Sequence, residues 1–315
     1  MEHITKQERA ALRELAKKQL EYANLPVMDE RKKLWYRHNA MKGERPIVLF
    51  EADSTYTVLG EMIPPLQCES ATGKTMEVEL LKHILSHEML DDDKVIPGCY
   101  TVDRKINIWP FEAVIHTTRG IDAAGRSYGF RWEKTIEDLD RDLGKLKPTK
   151  VSYDAEYNNL MVDIANETFG DILPVVVKNN ALNWYMVPSE KIVMLMGLEE
   201  MMLALYDNPK KMHELFDFVT NDTLGVVKWM ENEGLLTLNN GNDYAGTGSR
   251  GFTRDLPKSK DGGVRTGDLW LNTNALVVVP PVWRPLIWSH TDLPPPDLPP
   301  PDLSTPDLIF SHQIS

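Results

Sequence analysis

Three apolar runs in this chain stop abruptly in residues that could do chemistry. Glu51 and Asp53 follow "RPIVLF", Lys178, Asn179 and Asn180 follow "DILPVVV", and Asn239, Asn240, Asp243 and Tyr244 follow "LLTL". A carboxylate near an amine or amide can pass a proton to a bound molecule, and such groups also suit hydrogen bonding of a polar small molecule. Glu51 and Asp243 are therefore the acid–base candidates. Asp53, Lys178, Asn179, Asn180, Asn239, Asn240 and Tyr244 are the substrate-binding candidates. A strand-end carboxylate can equally cap a helix or close a structural ion pair.

Other motifs lack the context their chemistry needs. Gly246, Gly248 and Gly251 spell G-x-G-x-x-G, but "FTRDLPKSKDGG" follows where a dinucleotide fingerprint must open a helix. Gly73-Lys74-Thr75 precedes a helix, yet the opening glycine of a phosphate loop falls on Cys68. His83 and His87 are spaced to share a helix face, but Glu88 follows the second histidine, so H-E-x-x-H is absent. No serine sits in a nucleophile elbow, and neither cysteine has a basic partner in sequence.

The elements that must position these residues follow from periodicity. Two amphipathic helices occupy the N-terminal stretch, the second in "DERKKLWYRHNAMKGE", and "RPIVLFEAD" reads as the first buried strand. A helix is expected at 74–90, a second strand in "KVIPGCYTV", and an extended or hairpin excursion in "INIWPFEAVIHTT". Helices are expected at 134–145 and 154–169, a third strand at "DILPVVVKNN", a long helical region over 189–232, and a fourth strand at "LLTLNN". Strands alternating with helices predict an α/β fold with a parallel sheet. In a parallel barrel the strand ends and their following loops build the active face, so the polar residues above are expected to share one rim.

Composition narrows the partners. The chain has 315 residues, a formal net charge of -12 and 42% hydrophobic residues. It can bury a real core, and its acidity disfavours a nucleic-acid backbone or an anionic membrane as partner. With two cysteines and no apolar N-terminal run, the expected location is cytoplasmic. The expected organisation is an N-terminal helical extension over 1–45, a barrel-like domain over 46–270, and a tail over 271–315. That tail is apolar but proline-broken at first, then reads "DLPPPDLPPPDLSTPDL", a composition that favours extended polyproline II.

"PVVVKNNALNWYMVPSE", "DNPKKMHELFDFVTNDTLGVVKWMENEG", "LLTLNNGNDYAG" and "RHNAMKGERPIVLFE" together resemble the uroporphyrinogen decarboxylase superfamily, which includes corrinoid-dependent methyltransferase-like members. The resemblance is spread over residues 30–255. It implies a (β/α)8 TIM-barrel type fold, incomplete here with about four recognisable βα units. It also places Tyr185 on the family's active-site tyrosine, and it implies a small-molecule substrate, with a corrinoid, or a corrinoid protein, as methyl donor.

Departures from the family pattern shape the expectation. Where the decarboxylase clamps carboxylates with paired arginines after its first strand, this chain has "FEADSTYTV", which would repel a polycarboxylate. The family's catalytic aspartate has no assigned counterpart. The methyltransferase branch implies zinc, but no cysteine follows residue 252 and its ligands are not found. The expected activity is methyl transfer from a corrinoid to a small acceptor. The alternatives are a catalytically empty half-barrel that only binds a ligand or partner, and a porphyrinogen carboxy-lyase. With four strands where a barrel closes with eight, the expectation is a truncated chain or two halves pairing as a homodimer.

Overall fold

The computed structural model describes residues 4–51, 64–121, 127–246, 248–258 and 262–270, without the side chains of 127–130 and 183–184. All of these lie in one compact unit. Asp53 and the tail over 271–315 fall outside the described residues.

Helix α1 (Lys6–Ala23) starts at a capping box: Thr5 accepts the amide of Glu8 while Glu8 accepts that of Thr5. Its Leu12, Ala16, Gln19 and Ala23 recur at helical spacing and are all buried. Leu12 and Ala16 pack with Met76 and Leu80 of α3 (Ala71–Met89) and with Met161, Ala165 and Phe169 of α5 (Ala155–Phe169). Between them, α2 (Pro26–Asn39) has proline in its first turn, where a missing amide costs nothing.

α2 ends in a Schellman turn. The Met41 amide bonds the His38 carbonyl at 2.9 Å and the Lys42 amide bonds the Arg37 carbonyl at 2.8 Å. Met41 supplies the required left-handed residue at φ 58° although it carries a Cβ, and its side chain is exposed. Met41→Gly is accordingly expected to stabilise the chain by about 1 kcal/mol, checked by urea unfolding; a loss of stability would show that the methionine side chain contributes packing.

The only parallel pair among the described residues joins β1 (Tyr100–Asp103) to β6 (Val175–Lys178), with Tyr100 opposite Val175 and Asp103 opposite Lys178. α5 is the crossover into β6, and Phe169 meets the Tyr100 ring edge-on at 4.9 Å. The chain between β1 and α5 makes an excursion. β2 (Ile106–Trp109) pairs antiparallel with β5 (Lys150–Tyr153), and β3 (Thr117–Ile121) forms a hairpin with β4 (Ser127–Trp132). A last small hairpin joins β7 (Tyr244–Gly246) to β8 (Ser249–Arg250).

The α/β class holds, but four consecutive parallel strands do not form. Residues 46–50 carry no ladder: the Val48 and Phe50 amides bond the carboxylates of Asp93 and Asp92 at 2.8 and 2.9 Å, and one backbone bond, from the Asp93 amide to the Val48 carbonyl at 2.8 Å, completes the mooring. "LLTL" is not a strand either, because its neighbour holds it through side chains, as described below. The helix expected at 134–145 shrinks to α4 (Leu139–Asp142) and one tighter turn, since the Glu137 and Asp138 amides both turn back onto the Asp142 carboxylate.

The region over 189–232 is three helices: α7 (Pro188–Met196), α8 (Leu198–Asp207) and α9 (Pro209–Asn232). Gly197 at φ 87° breaks the first junction and Pro209 opens the last helix. A short turn, α6 (Leu182–Tyr185), leads into them and joins Val226, Val227 and Met230 of α9 in a second core cluster with Leu235 and Leu236.

Candidate functional site

Alternation along "CYTVD" divides β1 and the residue before it into two faces. Tyr100 and Val102 are buried, the former against α5, while Thr101 and Asp103 are exposed. The register puts Lys178 of β6 directly beside Asp103, at the C-terminal end of both strands. α5 fixes this end: the Asn158 side chain donates to the Asp103 carbonyl at 2.8 Å and accepts from the Lys105 amide at 2.6 Å.

The polar groups here contact one another. Lys178 Nζ pairs with Asp243 Oδ1 at 2.8 Å and donates to the Leu238 carbonyl at 2.9 Å. Asn180 Nδ2 donates to Asp103 Oδ1 at 2.7 Å. Asp103 is open to solvent yet crowded by protein, and this partial burial pushes its carboxyl up from the usual range against the opposing Asn180 bond. Burial likewise pushes the Cys99 thiol up, against the attraction of Lys178 and a hydrogen bond with Thr101. A thiol raised in this way gives up its proton less readily, which makes it a poorer nucleophile.

Two of the sequence-chosen residues thus meet directly, Lys178 and Asp243. Two more form a neighbouring group: Glu51 Oε1 lies 3.5 Å from Arg250, whose guanidinium stands over the Tyr244 ring at 5.6 Å. Tyr244 follows Asp243 in the chain and opens β7.

The amides mostly serve the fold. Asn179 donates to the Leu235 carbonyl at 3.0 Å and its amide bonds Thr237 Oγ1 at 2.8 Å, which moors "LLTL" beside β6 without a backbone ladder. Asn239 exchanges two bonds with the Trp270 backbone, and Asn240 donates to the Leu256 carbonyl at 2.9 Å. The glycine-rich stretch opens no helix; Gly251 is pressed against the Asn239 carbonyl, where any Cβ would clash.

Tyr185 stands in a different group. It is 8% exposed, its hydroxyl donates to Thr149 Oγ1 at 3.2 Å, and none of its polar partners belongs to the Lys178–Asp243 group. The Thr149 backbone and hydroxyl both donate to Asp222 at 2.6 Å. Lys191 Nζ lies 3.3 Å above the Tyr185 ring centre and donates to Thr223 Oγ1 at 2.6 Å. Burial, opposed by Asp222, lowers the Lys191 amine to about 7.

Asp103 and Thr101 were not among the residues singled out by sequence. Their signal was the period-two alternation of "CYTVD", masked by the apolar look of the run before it.

Among the described residues no three His, Cys, Asp or Glu side chains form a group that could hold a metal. Cys68 is buried, and its thiol is pushed up to about 12, first by burial and then by Glu77. His87 packs against the Tyr22 ring at 4.5 Å, and burial lowers its pKa. Among the described residues no helix is long and apolar enough to cross a membrane. No known protein family, curated protein or solved structure matches this chain.

Proposed function

We propose that the open face of β1 and β6 binds a polar small molecule and carries a proton-transfer step, in a chain akin to the methyltransferase-like branch of the uroporphyrinogen decarboxylase superfamily and holding only part of its barrel. The observation that supports this reading is the placement of Asp103 beside Lys178 at paired strand ends, with Asp243 and Asn180 holding one partner each. Crowding raises Asp103, so it keeps its proton nearer neutrality than an ordinary aspartate and is the acid of the pair. Lys178, fixed by Asp243 and the Leu238 carbonyl, presents positive charge to an anionic group on the substrate.

The assay is methyl transfer from free methylcobalamin to a small thiol, followed by the cobalamin spectrum, with uroporphyrinogen decarboxylation run alongside. Turnover is expected in the native chain. Asp103→Asn is expected to lower it by about 10²-fold or more and to abolish the alkaline-side limb of its pH profile, where a general acid loses its proton, with unchanged circular dichroism. No turnover with either substrate would sink the enzymatic reading. It would favour a chain that only binds ligand, which the commitment of Asn179, Asn239 and Asn240 to the backbone also supports.

A further inference from the structure

Away from β1 and β6, a cavity of about 510 Å³ opens between the C-terminal half of α2 and the loop at 253–255. Lys33, Arg37, Lys42 and Arg254 line it, with Asp255 as its one carboxylate. Arg37 is paired with Glu44 at 2.8 Å. Among the described residues Lys33, Lys42 and Arg254 have no ion-pair partner. In a chain of net charge -12, this concentration of cation is anomalous, because like charges held together repel.

The walls are built to hold that arrangement. The Schellman turn ties the Lys42 amide to the Arg37 carbonyl, which folds Lys42 back over the end of α2. On the other wall, Phe252 is 4% exposed and packs against the Trp35 and Tyr36 rings at 6.3 and 5.4 Å. Asn39 donates to the Arg250 and Phe252 carbonyls at 2.8 and 3.0 Å, and the Thr253 amide bonds the Asn240 carbonyl at 3.1 Å. The anchored loop carries Arg254, whose guanidinium stands over the Tyr36 ring at 5.2 Å. A planar guanidinium offers a fork of donors to a tetrahedral dianion, and the two lysines add unspent charge around it.

We propose that this cavity is a binding site for a small phosphate monoester, the phosphate seated among Lys33, Lys42 and Arg254 and the organic part against Tyr36 and Ala40.

The test uses phenyl phosphate as probe, with inorganic phosphate and succinate as comparison anions, titrated into the full chain by calorimetry at low salt. Phenyl phosphate is expected to bind at least threefold more tightly than inorganic phosphate and tenfold more tightly than succinate. Lys42→Ala and Arg254→Ala are each expected to weaken it at least fivefold, while Lys210→Ala, an exposed lysine on α9, leaves it unchanged. The triple variant of Lys33, Lys42 and Arg254 to alanine is expected to melt above the native chain without ligand and to gain nothing from phenyl phosphate. Failure of phenyl phosphate to bind, equal binding by the triple variant, or succinate binding as tightly would each overturn the assignment.

Discussion

Glu8→Ala is expected to lower the stability of this chain by about 2–3 kcal/mol, a large effect for a single substitution. Glu8 is 4% exposed and its carboxylate ties two helix starts together. One oxygen accepts the Thr5 amide at 2.7 Å, and the other accepts the Glu69 and Ser70 amides at 2.9 and 2.7 Å. Alanine leaves three donors at the junction of α1 and α3 without partners, the Ser70 amide buried and the Thr5 and Glu69 amides part-buried, and the buried one costs more than a mean hydrogen bond is worth.

The pH dependence supplies a second check. The Thr5 amide first, then that of Ser70, hold the Glu8 carboxyl down at about 2, against a desolvation cost that works the other way. A carboxylate depressed in the folded state adds stability above its unfolded value, near 4.5, and loses it as pH falls toward 2. The gap between native chain and variant in urea unfolding should therefore be full at pH 7 and narrow below pH 4.5. A gap of under 1 kcal/mol at pH 7 would mean that water satisfies those amides equally well.

The second large effect runs the other way. Lys191→Met is expected to stabilise the chain by about 2 kcal/mol at pH 6, because an ammonium is removed from a site where charge is poorly solvated. Lys191 is 5% exposed, and its hydrogen-bond partner Thr223 keeps a bond of 2.7 Å to the Val219 carbonyl when the amine is gone. Methionine has a similar length and bends to fit the space over Tyr185. An amine depressed to about 7 when folded binds fewer protons than the unfolded chain between pH 7 and its ordinary value of 10.5, so native stability rises with pH across that window. The advantage of the methionine variant should thus be largest at pH 6 and shrink by pH 9.5. A variant less stable than the native chain at pH 6 would show that the ammonium's contact with the Tyr185 ring outweighs its desolvation.

Helix periods were the most legible part of the sequence. α3 and α5 lie within a few residues of expectation, and so does β6, because an apolar stripe or run with polar ends leaves little choice. The runs at 46–50 and 235–238 misled for a specific reason. Side chains of Asp92, Asp93, Asn179 and Thr237 make most of the bonds that a neighbouring strand would give, and no local pattern announces that substitution. The pairing of Lys178 with Asp243 spans 65 positions, beyond any local pattern, and Asp103 enters only through the register of β1 against β6. Asn239 and Asn240 illustrate the limit of residue type as a guide, since an amide that binds substrate and one that binds its own chain look alike in a sequence.

The mooring of "LLTL" also bears on how copies of this chain behave in crowded solution. A strand margin with free amides and carbonyls is a template on which a second molecule can lay its own strand and start an aggregate. Here the Asn179 and Lys178 side chains already occupy the Leu235 and Leu238 carbonyls, and the Thr237 hydroxyl occupies the Asn179 amide. These bonds fill two carbonyls of the 235–238 run and the amide just past β6 from side chains, which cannot propagate a sheet, and at those groups they guard against intermolecular sheet growth.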